Sequence, residues 1–332
     1  MKNNTTHLLI LFLAVLLFSA CERTVKVGFL MDESVTGRWA KDKELFTRYI
    51  QEQGAEVICM AAEMDMEKQY QLAQEMLDMD IDVLVLVPTD MNEAAKIVLL
   101  AHKKGIRVIS YDRLTKNCGL DYYISFDHVN VGEIQAEYLT SACPKGKYAL
   151  LGGAQNDNNS MLLRLGQLNV LQPLIDKGDI QITYDNYANS WTIEEGYRMM
   201  KECLKVSPDV TAVIAANDRL ATGANLALAE LRKEKNVCLA GMDADLEACQ
   251  RIIAGTQNMT VYKPIEAIAF KAAEVALQIA SEDNAPNMNL SVNNGFKQVP
   301  SILLPAMAVS LETIELTVVA DGYLQQNNLW KK

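Results

Sequence analysis

Histidine is scarce in this chain of 332 residues: only His7, His102 and His128 occur, and they stand far apart. The cysteines form no C-x-x-C pair, so the ligand spacing of a zinc site is missing. Long runs of basic residues are missing too, and the net charge is −11. We therefore predict no metal, no cofactor and no nucleic-acid partner, because nucleic acids are bound by basic surfaces.

The chain also lacks the short motifs of several enzyme classes. No Walker A sequence, G-x-G-x-x-G or G-x-S-x-G follows a predicted strand. No low-complexity or linker-like stretch divides the chain either. Its 332 residues are more than one hydrophobic core usually serves. We therefore expect two domains in close contact, connected by several crossovers.

The first 21 residues have the layout of an export signal. Lys2 precedes an apolar run at 8–18, which is too short to cross a bilayer. The run leads to Cys21, and the segment resembles a bacterial lipoprotein signal in which Phe18 holds the usual place of leucine. The resemblance implies a lipid on Cys21 as the first mature residue. The alternative is an ordinary signal peptide, and both predict export.

Short apolar runs alternate with amphipathic segments from Val25 onward. Strands of a first series are predicted at 25–31, 56–61, 83–88, 107–112 and 122–126. Strands of a second series are predicted at 148–152, 180–184, 212–216 and 237–242. Helical patterns fill the gaps, and such alternation indicates right-handed βαβ units. We predict an α/β fold of two similar, doubly wound parallel-sheet domains.

Most of these strands end in acidic or amide residues. They are Asp32, Asp90, Asp112, Asp157, Asn217, Asp218 and Asp243. Ligands of open parallel sheets bind beyond the carboxyl ends of the strands. The alternative for each residue is an N-cap of the next helix, and we assign Asp32, Asp90 and Asp218 to caps or loops. Arg113 is no capping residue, and at the end of a buried strand it needs a partner.

Two tryptophans stand in polar, loop-like surroundings, Trp39 after an arginine and Trp191 after a serine. An aromatic ring can pack on the C–H face of a sugar while carboxylates and guanidinium groups bind its hydroxyls. Together with the residues at the strand ends, this composition is typical of a monosaccharide site. The alternative is that each tryptophan is a packing residue.

Residues 24 to about 325 resemble bacterial periplasmic sugar-binding proteins of the ribose/galactose type (periplasmic binding protein-like I). The similarity is greatest to the D-xylose-binding branch that serves ABC transporters. It runs through the segments 37–42, 111–113, 123–127, 157–159, 217–218, 242–245 and 254–264. The loop at 32–36 and the pair Gln155 and Asn156 differ from the family pattern.

The resemblance implies two domains joined by a three-stranded hinge, with crossovers near Asp127, near Met259 and at 294–299. The first domain would comprise residues 24–126 and 260–296, and the second residues 127–259 and 297–332. A sugar would lie between them. The residues implied to bind it are Arg38, Trp39, Asp112, Arg113, Asp157, Asn159, Trp191, Asn217, Asp243 and Lys263.

The resemblance implies an exported, lipid-anchored, monomeric solute-binding protein of the cell envelope. It would capture a pentose such as D-xylose by hinge closure and deliver it to an ABC permease. An alternative is a sugar-sensing input for a membrane sensor kinase, a histidine kinase. A glycosidase would use Asp112 and Asp157 as its carboxylate pair. We predict no enzyme, because neighbouring donors let each carboxylate serve as a plain acceptor.

Overall fold

The computed structural model describes residues 23–33, 37–281, 286–288 and 290–330. The predicted leader and its Cys21 lie outside the described residues, so lipid attachment stays a prediction. Within the ranges just given, no helix is both long and apolar enough to cross a membrane.

Strands and helices alternate along the chain, as the sequence pattern predicts. The described strands are β1 (Lys26–Met31), β2 (Glu56–Ala61), β3 (Val83–Leu86), β4 (Arg107–Tyr111), β5 (Tyr122–Phe126), β6 (Gly146–Ala154), β7 (Ile180–Ala188), β8 (Ala212–Ala215), β9 (Cys238–Ala240), β10 (Thr260–Tyr262), β11 (Leu290–Asn293), β12 (Gln298–Leu304) and β13 (Met307–Val309). The described α-helices are α1 (Gly37–Glu52), α2 (Met66–Leu77), α3 (Ala95–Lys103), α4 (His128–Ala142), α5 (Asn158–Asp176), α6 (Ile193–Val206), α7 (Asp218–Ala229), α8 (Leu246–Ala254), α9 (Ile265–Ala280) and α10 (Gln326–Leu329). The predicted α/β fold of parallel sheets and helices is confirmed.

The larger sheet orders its described strands as β11-β12-β5-β4-β3-β1-β2. Neighbouring strands run parallel except β11 and β12, which form an antiparallel hairpin. Helices α1 and α9 pack on one face, and α2 and α3 pack on the other. Because helices cover both faces, a central strand such as β3 consists of buried valine and leucine alone.

The smaller sheet orders its strands as β7-β6-β8-β9, all parallel. Two helix pairs pack on it, α4 with α5 and α6 with α7. Gly132 and Gly166 lie between α4 and α5, and a Cβ at either position would clash with a backbone carbonyl oxygen of the other helix. Gly196 and Gly223 play the same part between α6 and α7. Glycine therefore allows both helix pairs to pack at close range.

Three segments of the described chain connect the two sheets. Asp127 joins β5 to α4, residues 263–264 join β10 to α9, and residues 305–306 join β12 to β13. Strands β10 and β13 pair with each other, and Met259 bridges to Ala240 of β9. The first and third segments lie side by side, because the Asp127 N–H donates to the carbonyl of Leu304 at 3.1 Å. The chain thus crosses between the sheets at one narrow place.

The third crossover differs from the prediction of 294–299. Asn294 and Gly295 instead form the turn of the β11–β12 hairpin: Asn294 Oδ1 accepts from the N–H groups of Phe296 and Lys297, and Gly295 has φ 94°. Asn-Gly is a strong hairpin signal. Strand β12 then stays in the larger sheet, paired with β5. The last domain boundary therefore moves from 296/297 to 305–306, and the rest of the domain division stays a prediction.

Candidate ligand-binding site

Each sheet has a point at which the strand order reverses. In the larger sheet β1 lies between β2 and β3, and in the smaller sheet β6 lies between β7 and β8. The crevice beyond the carboxyl ends of the strands at such a point is where open α/β sheets bind ligands. Asp32 follows β1 and Asp157 follows β6, and both line one cavity. The two sheets therefore contribute to a single site.

The cavity has a volume of about 690 Å³ including its open mouth. All ten residues that were predicted to bind the ligand line it. The structure thus brings together side chains that are spread from Arg38 to Lys263 along the chain. Their contact with a ligand stays a prediction.

Arg38 anchors the first group of charges, and its guanidinium is buried. Its Nη1 donates to Asp112 Oδ2 at 2.9 Å, while Nε and Nη2 donate to the two carboxylate oxygens of Asp42 at 3.1 and 3.3 Å. The hydroxyl of Tyr111 also donates to Asp42. Asp42 is 0% exposed. The buried carboxylate of Asp42 therefore holds the guanidinium group of Arg38 through Nε and Nη2. The remaining nitrogen, Nη1, orients Asp112.

Arg113 anchors the second group and connects the two sheets. Its Nη1 donates to Asp32 Oδ2 at 2.6 Å, and its Nε lies 2.9 Å from Asp157 Oδ2. Asp32 is the loop residue that was predicted, yet its side chain belongs to the site. Asp157 is both a cavity residue and a helix N-cap, because its Oδ1 caps α5 by accepting from the Asn159 N–H. The partner that Arg113 was expected to need is thus a pair of carboxylates.

Asp112 has a left-handed backbone with φ 60°, a conformation that costs energy outside glycine. Its carbonyl accepts from Tyr123 Oη at 3.0 Å and from Ser125 Oγ at 2.5 Å, and its N–H donates to the Ile124 carbonyl at 2.8 Å. These contacts with β5 hold the peptide, and they direct the carboxylate toward Arg38 and Asn159. Asn159 Nδ2 lies 3.2 Å from Asp112 Oδ1.

Charges around Asp112 keep it ionised. Burial opposes ionisation, but the charges of Arg38 and Lys263 outweigh it and hold the pKa of Asp112 well below its usual range. Lys263 Nζ lies 3.9 Å from Asp112 Oδ2 and 3.1 Å from Asp243 Oδ1. Burial, and then the charge of Lys263, lower the pKa of the adjacent His128 to about 3. The cavity wall therefore presents fixed carboxylates beside cations, and His128 stays neutral.

The two tryptophans differ in their surroundings. Trp39 is buried, and the Cζ atoms of Arg38 and Arg113 lie 4.8 and 5.4 Å from its ring centroid. Trp191 is half-buried and packs on Gly153, where a Cβ would clash with the indole ring. Trp39 thus helps to position both guanidinium groups, and Trp191 offers the more accessible aromatic surface.

Four buried polar atoms of the cavity wall have no hydrogen-bond partner among the described residues. They are Asp32 Oδ1, Asn159 Oδ1, Asp243 Oδ1 and Trp191 Nε1, and of these Asp243 Oδ1 lies 3.1 Å from the charged Nζ of Lys263. A buried polar group without a partner costs about 1–3 kcal/mol, and native structures rarely keep several of them together. Three acceptors and one donor around one cavity indicate a ligand that both donates and accepts hydrogen bonds.

Sequence reasoning missed several side chains that also line the cavity. They are Asp32, Glu33, Met64, Arg219, Met242 and Asp245. Arg219 Nη1 lies 3.5 Å from Glu33 Oε2, so this pair also joins the two sheets. Burial, and then the charge of Asp243, raise the pKa of Asp245 to about 7. The position of Asp32 at the end of a strand was a signal that could have identified it as a cavity residue. No local sequence pattern distinguishes Arg219 or Met64 from surface residues.

The remaining residues at strand ends separate into caps and cavity residues. Asp90 is a cap, because its Oδ1 accepts from the N–H groups of Asn92 and Glu93. Asn217 caps α7 through the Leu220 N–H and also lines the cavity. Asp218 is buried and accepts from Thr260 and Gln257. The prediction of a cap or loop therefore holds for Asp90, whereas Asp218 belongs to a buried network.

Comparison with known proteins is consistent with this geometry. A family model described as a periplasmic binding protein domain matches residues 27–284. The D-xylose-binding periplasmic protein of Haemophilus influenzae is 39% identical over 319 residues, covering 96% of both chains. The protein of the same description from Escherichia coli is 38% identical over 312 residues, covering 94% of both.

A solved structure shares the fold over most of the chain. It is a carbohydrate transporter solute binding protein from Chloroflexus aurantiacus, determined in complex with D-glucose. Its TM-score is 0.85 at 27% sequence identity, and the match covers 92% of this chain and 98% of that one. The similarity thus extends to proteins described with a hexose as well as with a pentose.

Proposed function

The chain belongs to the periplasmic binding protein domain family, and on that premise we propose that it closes on D-xylose and delivers it to an ABC permease. Its relatives and its fold are those of substrate-binding transport proteins and not of enzymes. The observation that carries the proposal is one cavity between two sheets, in which buried carboxylates are held by cations and unpaired polar atoms face a common space.

The chemistry of the cavity suits a sugar. Every hydroxyl of a monosaccharide can donate and accept a hydrogen bond. Asp32 Oδ1 and Asn159 Oδ1 offer acceptors, and Trp191 Nε1 offers a donor. The carboxylate of Asp112 adds a charged acceptor, and hydrogen bonds to charged groups are about twice as strong as neutral ones. The indole of Trp191 can cover the apolar face of a sugar ring.

We expect the site to prefer a pentose. Trp39, Trp191, Met64, Met242 and Lys263 all border the cavity. An exocyclic hydroxymethyl group that found no partner there would be costly to bury. Calorimetry on the mature protein should therefore give an affinity for D-xylose roughly tenfold or more above that for D-glucose.

D-glucose is the informative comparison because its pyranose ring differs from that of D-xylose by that one group, and L-arabinose, a pentose that differs only in configuration at C4, controls for the arrangement of the hydroxyls. Equal affinity for D-xylose and D-glucose would contradict the pentose assignment while leaving a sugar receptor in place. Absence of heat with every monosaccharide would contradict the proposed function itself.

The contacts between the sheets support a mechanism of closure. Arg113 with Asp157, Asn159 with Asp112, and Arg219 with Glu33 each join one sheet to the other. Outside the cavity, the Met91 N–H donates to the Asn156 carbonyl at 2.9 Å. A sugar held by both sides binds the closed form better than the open form, and only this difference shifts the equilibrium.

Saturating D-xylose should lower the radius of gyration in solution scattering and change tryptophan emission with the same midpoint. A shift from mostly open to mostly closed requires about 5 kcal/mol of differential binding. Ligand at 100 times its dissociation constant should add about 2.7 kcal/mol to the free energy of unfolding. Tight binding without any change in scattering would contradict closure, and L-glucose serves as the control for sugar added to the buffer.

We also propose that the protein is exported and carries a lipid on Cys21, which would keep the closed form near its membrane partner. The lipoprotein-like signal supports the anchor, and the named relatives support a periplasmic location. Closure would change the surface around the cavity mouth, and such a change is what a permease can distinguish.

A further inference from the structure

Two cysteines in the half of the protein that contains the smaller sheet are distant in sequence but close in space. Cys143 follows the last residue of α4, and Cys238 is the first residue of β9; both are half-buried. Each reaches the same peptide group, because the carbonyl of Thr211 lies 3.8 Å from Cys143 Sγ and accepts from the Cys238 N–H at 2.9 Å. One carbonyl oxygen thus places the two residues side by side.

The two thiols also influence each other electrostatically. Burial, followed by a hydrogen bond and charge interaction with Cys143, raises the pKa of Cys238 to about 12. The thiol of Cys59 is also half-buried, but its neighbour is a hydroxyl: Cys59 Sγ lies 3.5 Å from Thr47 Oγ1. A disulfide requires two cysteines whose backbones already lie close together, and the shared Thr211 carbonyl meets that requirement for Cys143 and Cys238.

We propose that Cys143 and Cys238 form a disulfide in the exported protein. An external disulfide of the glutathione or thiol oxidoreductase class is the oxidant. One thiolate attacks it to form a mixed disulfide, and the second thiolate displaces the reduced carrier. The two protein thiols lose two hydrogens, and the carrier gains them as two thiols. Exported proteins meet such oxidants, so the setting rests on the proposed export, whereas the pairing rests on geometry.

The disulfide would lie away from the ligand cavity. Cys238 begins its strand and pairs in register with Ala212, the first residue of β8, whereas the cavity lies beyond the carboxyl ends of the strands. The bond would connect α4, which follows the first crossover, to β9 at the edge of the smaller sheet. We therefore expect it to stabilise this half of the protein without changing sugar affinity.

The burial of Cys238 determines when the bond can form. A thiol of high pKa is seldom a thiolate, and the thiolate is the reactive species. Exchange in the folded protein should therefore be slow, and the bond should form while the chain folds. The test accordingly refolds the full mature chain in a mixture of reduced and oxidised glutathione, and it compares the product with protein refolded in reductant alone.

Peptide mapping of the oxidised product should recover one cross-linked pair, carrying Cys143 and Cys238, with a mass lower by two hydrogen atoms. Thiol titration after unfolding should find four of the six mature cysteines apart from Cys21. The midpoint of thermal unfolding should rise by roughly 5 °C or more over the reduced protein, because the bond closes a long loop.

The variants Cys143→Ser and Cys238→Ser should each lose the cross-link and the rise in midpoint, and Cys59→Ser should keep both. Calorimetry with D-xylose checks that each variant has folded. If no sample binds D-xylose, including the parent protein, that result would count against the sugar assignment rather than the disulfide. Six free thiols after oxidative refolding would overturn the proposal. So would glutathione adducts on the separate cysteines, or a cross-link between any other pair.

Discussion

Replacing Asp112 by alanine should abolish measurable sugar binding while the protein stays folded. Asp112 is 3% exposed, holds Arg38 at 2.9 Å and is the acceptor nearest to Lys263 after Asp243. Truncating one member of a buried charged hydrogen-bond pair in a binding site costs about 2–5 kcal/mol. The affinity should therefore fall by roughly thirty-fold to several thousand-fold. The protein should stay folded because Arg38 keeps its two contacts with Asp42.

Two further variants make this measurement by calorimetry specific. Asp112→Asn keeps the side-chain shape and tolerates the left-handed backbone, so a loss of affinity in that variant isolates the role of the charge. Asp90→Ala removes another aspartate at a strand end, one that only caps Asn92 and Glu93, and should leave affinity unchanged. An Asp112→Ala affinity within about threefold of the parent, a difference below 1 kcal/mol, would mean that the carboxylate only shapes its turn.

Replacing Arg38 by methionine should lower the free energy of unfolding by about 3–5 kcal/mol, because it leaves the carboxylate of Asp42 buried without its cation. Arg48→Met is the matched control on the same helix. Arg48 is exposed and lies 3.4 Å from Glu266, and exposed pairs contribute about 0–1 kcal/mol. Urea unfolding of the sugar-free proteins measures both variants.

The loss in Arg38→Met should depend on pH. Burial raises the pKa of Asp42 even while Arg38 opposes that rise, and removing Arg38 should raise it further. A carboxyl with a raised pKa binds its proton more tightly folded than unfolded, so its contribution to stability falls as pH rises above about 4, the value in the unfolded chain. The variant should therefore be less destabilised at low pH than at neutral pH.

Neutralising Asp42 tests the same cause from the other side. The double variant Arg38→Met/Asp42→Asn removes the uncompensated charge and keeps an oxygen for the hydroxyl of Tyr111. It should recover much of the stability at neutral pH. If the double variant is as unstable as Arg38→Met at every pH, then lost packing rather than the buried charge explains the effect.

Local chemistry was enough to predict the layers and the cavity residues at strand ends, whereas the family resemblance alone implied Arg38, Asn159 and Lys263. Apolar runs such as the buried β3 read as parallel strands because helices cover both faces. Parallel strands place their carboxyl ends on one edge, so Asp112 and Asp157 could be expected at a common site. Arg113 was recognisable because a cation at the end of a buried strand needs a partner.

Residues without a local signal could not be predicted in the same way. Arg219 lies on α7 and reaches Glu33 from a distance of 186 positions. Met64 enters the cavity from the loop that follows β2. The third crossover was implied by the family resemblance at 294–299, and no local signal marks its position between β12 and β13, which lie in different sheets.

The sequence by itself determined the alternation of elements, the two-sheet plan and the charged residues at strand ends, because periodicity and strand-end chemistry act within a few residues. Only the tertiary structure decided which charges pair. Arg38 takes Asp42 and Asp112, whereas Arg113 takes Asp32 and Asp157. The reason is that a buried ion's partner depends on which groups share its low-dielectric surroundings, and chain folding brings those groups together from distant positions.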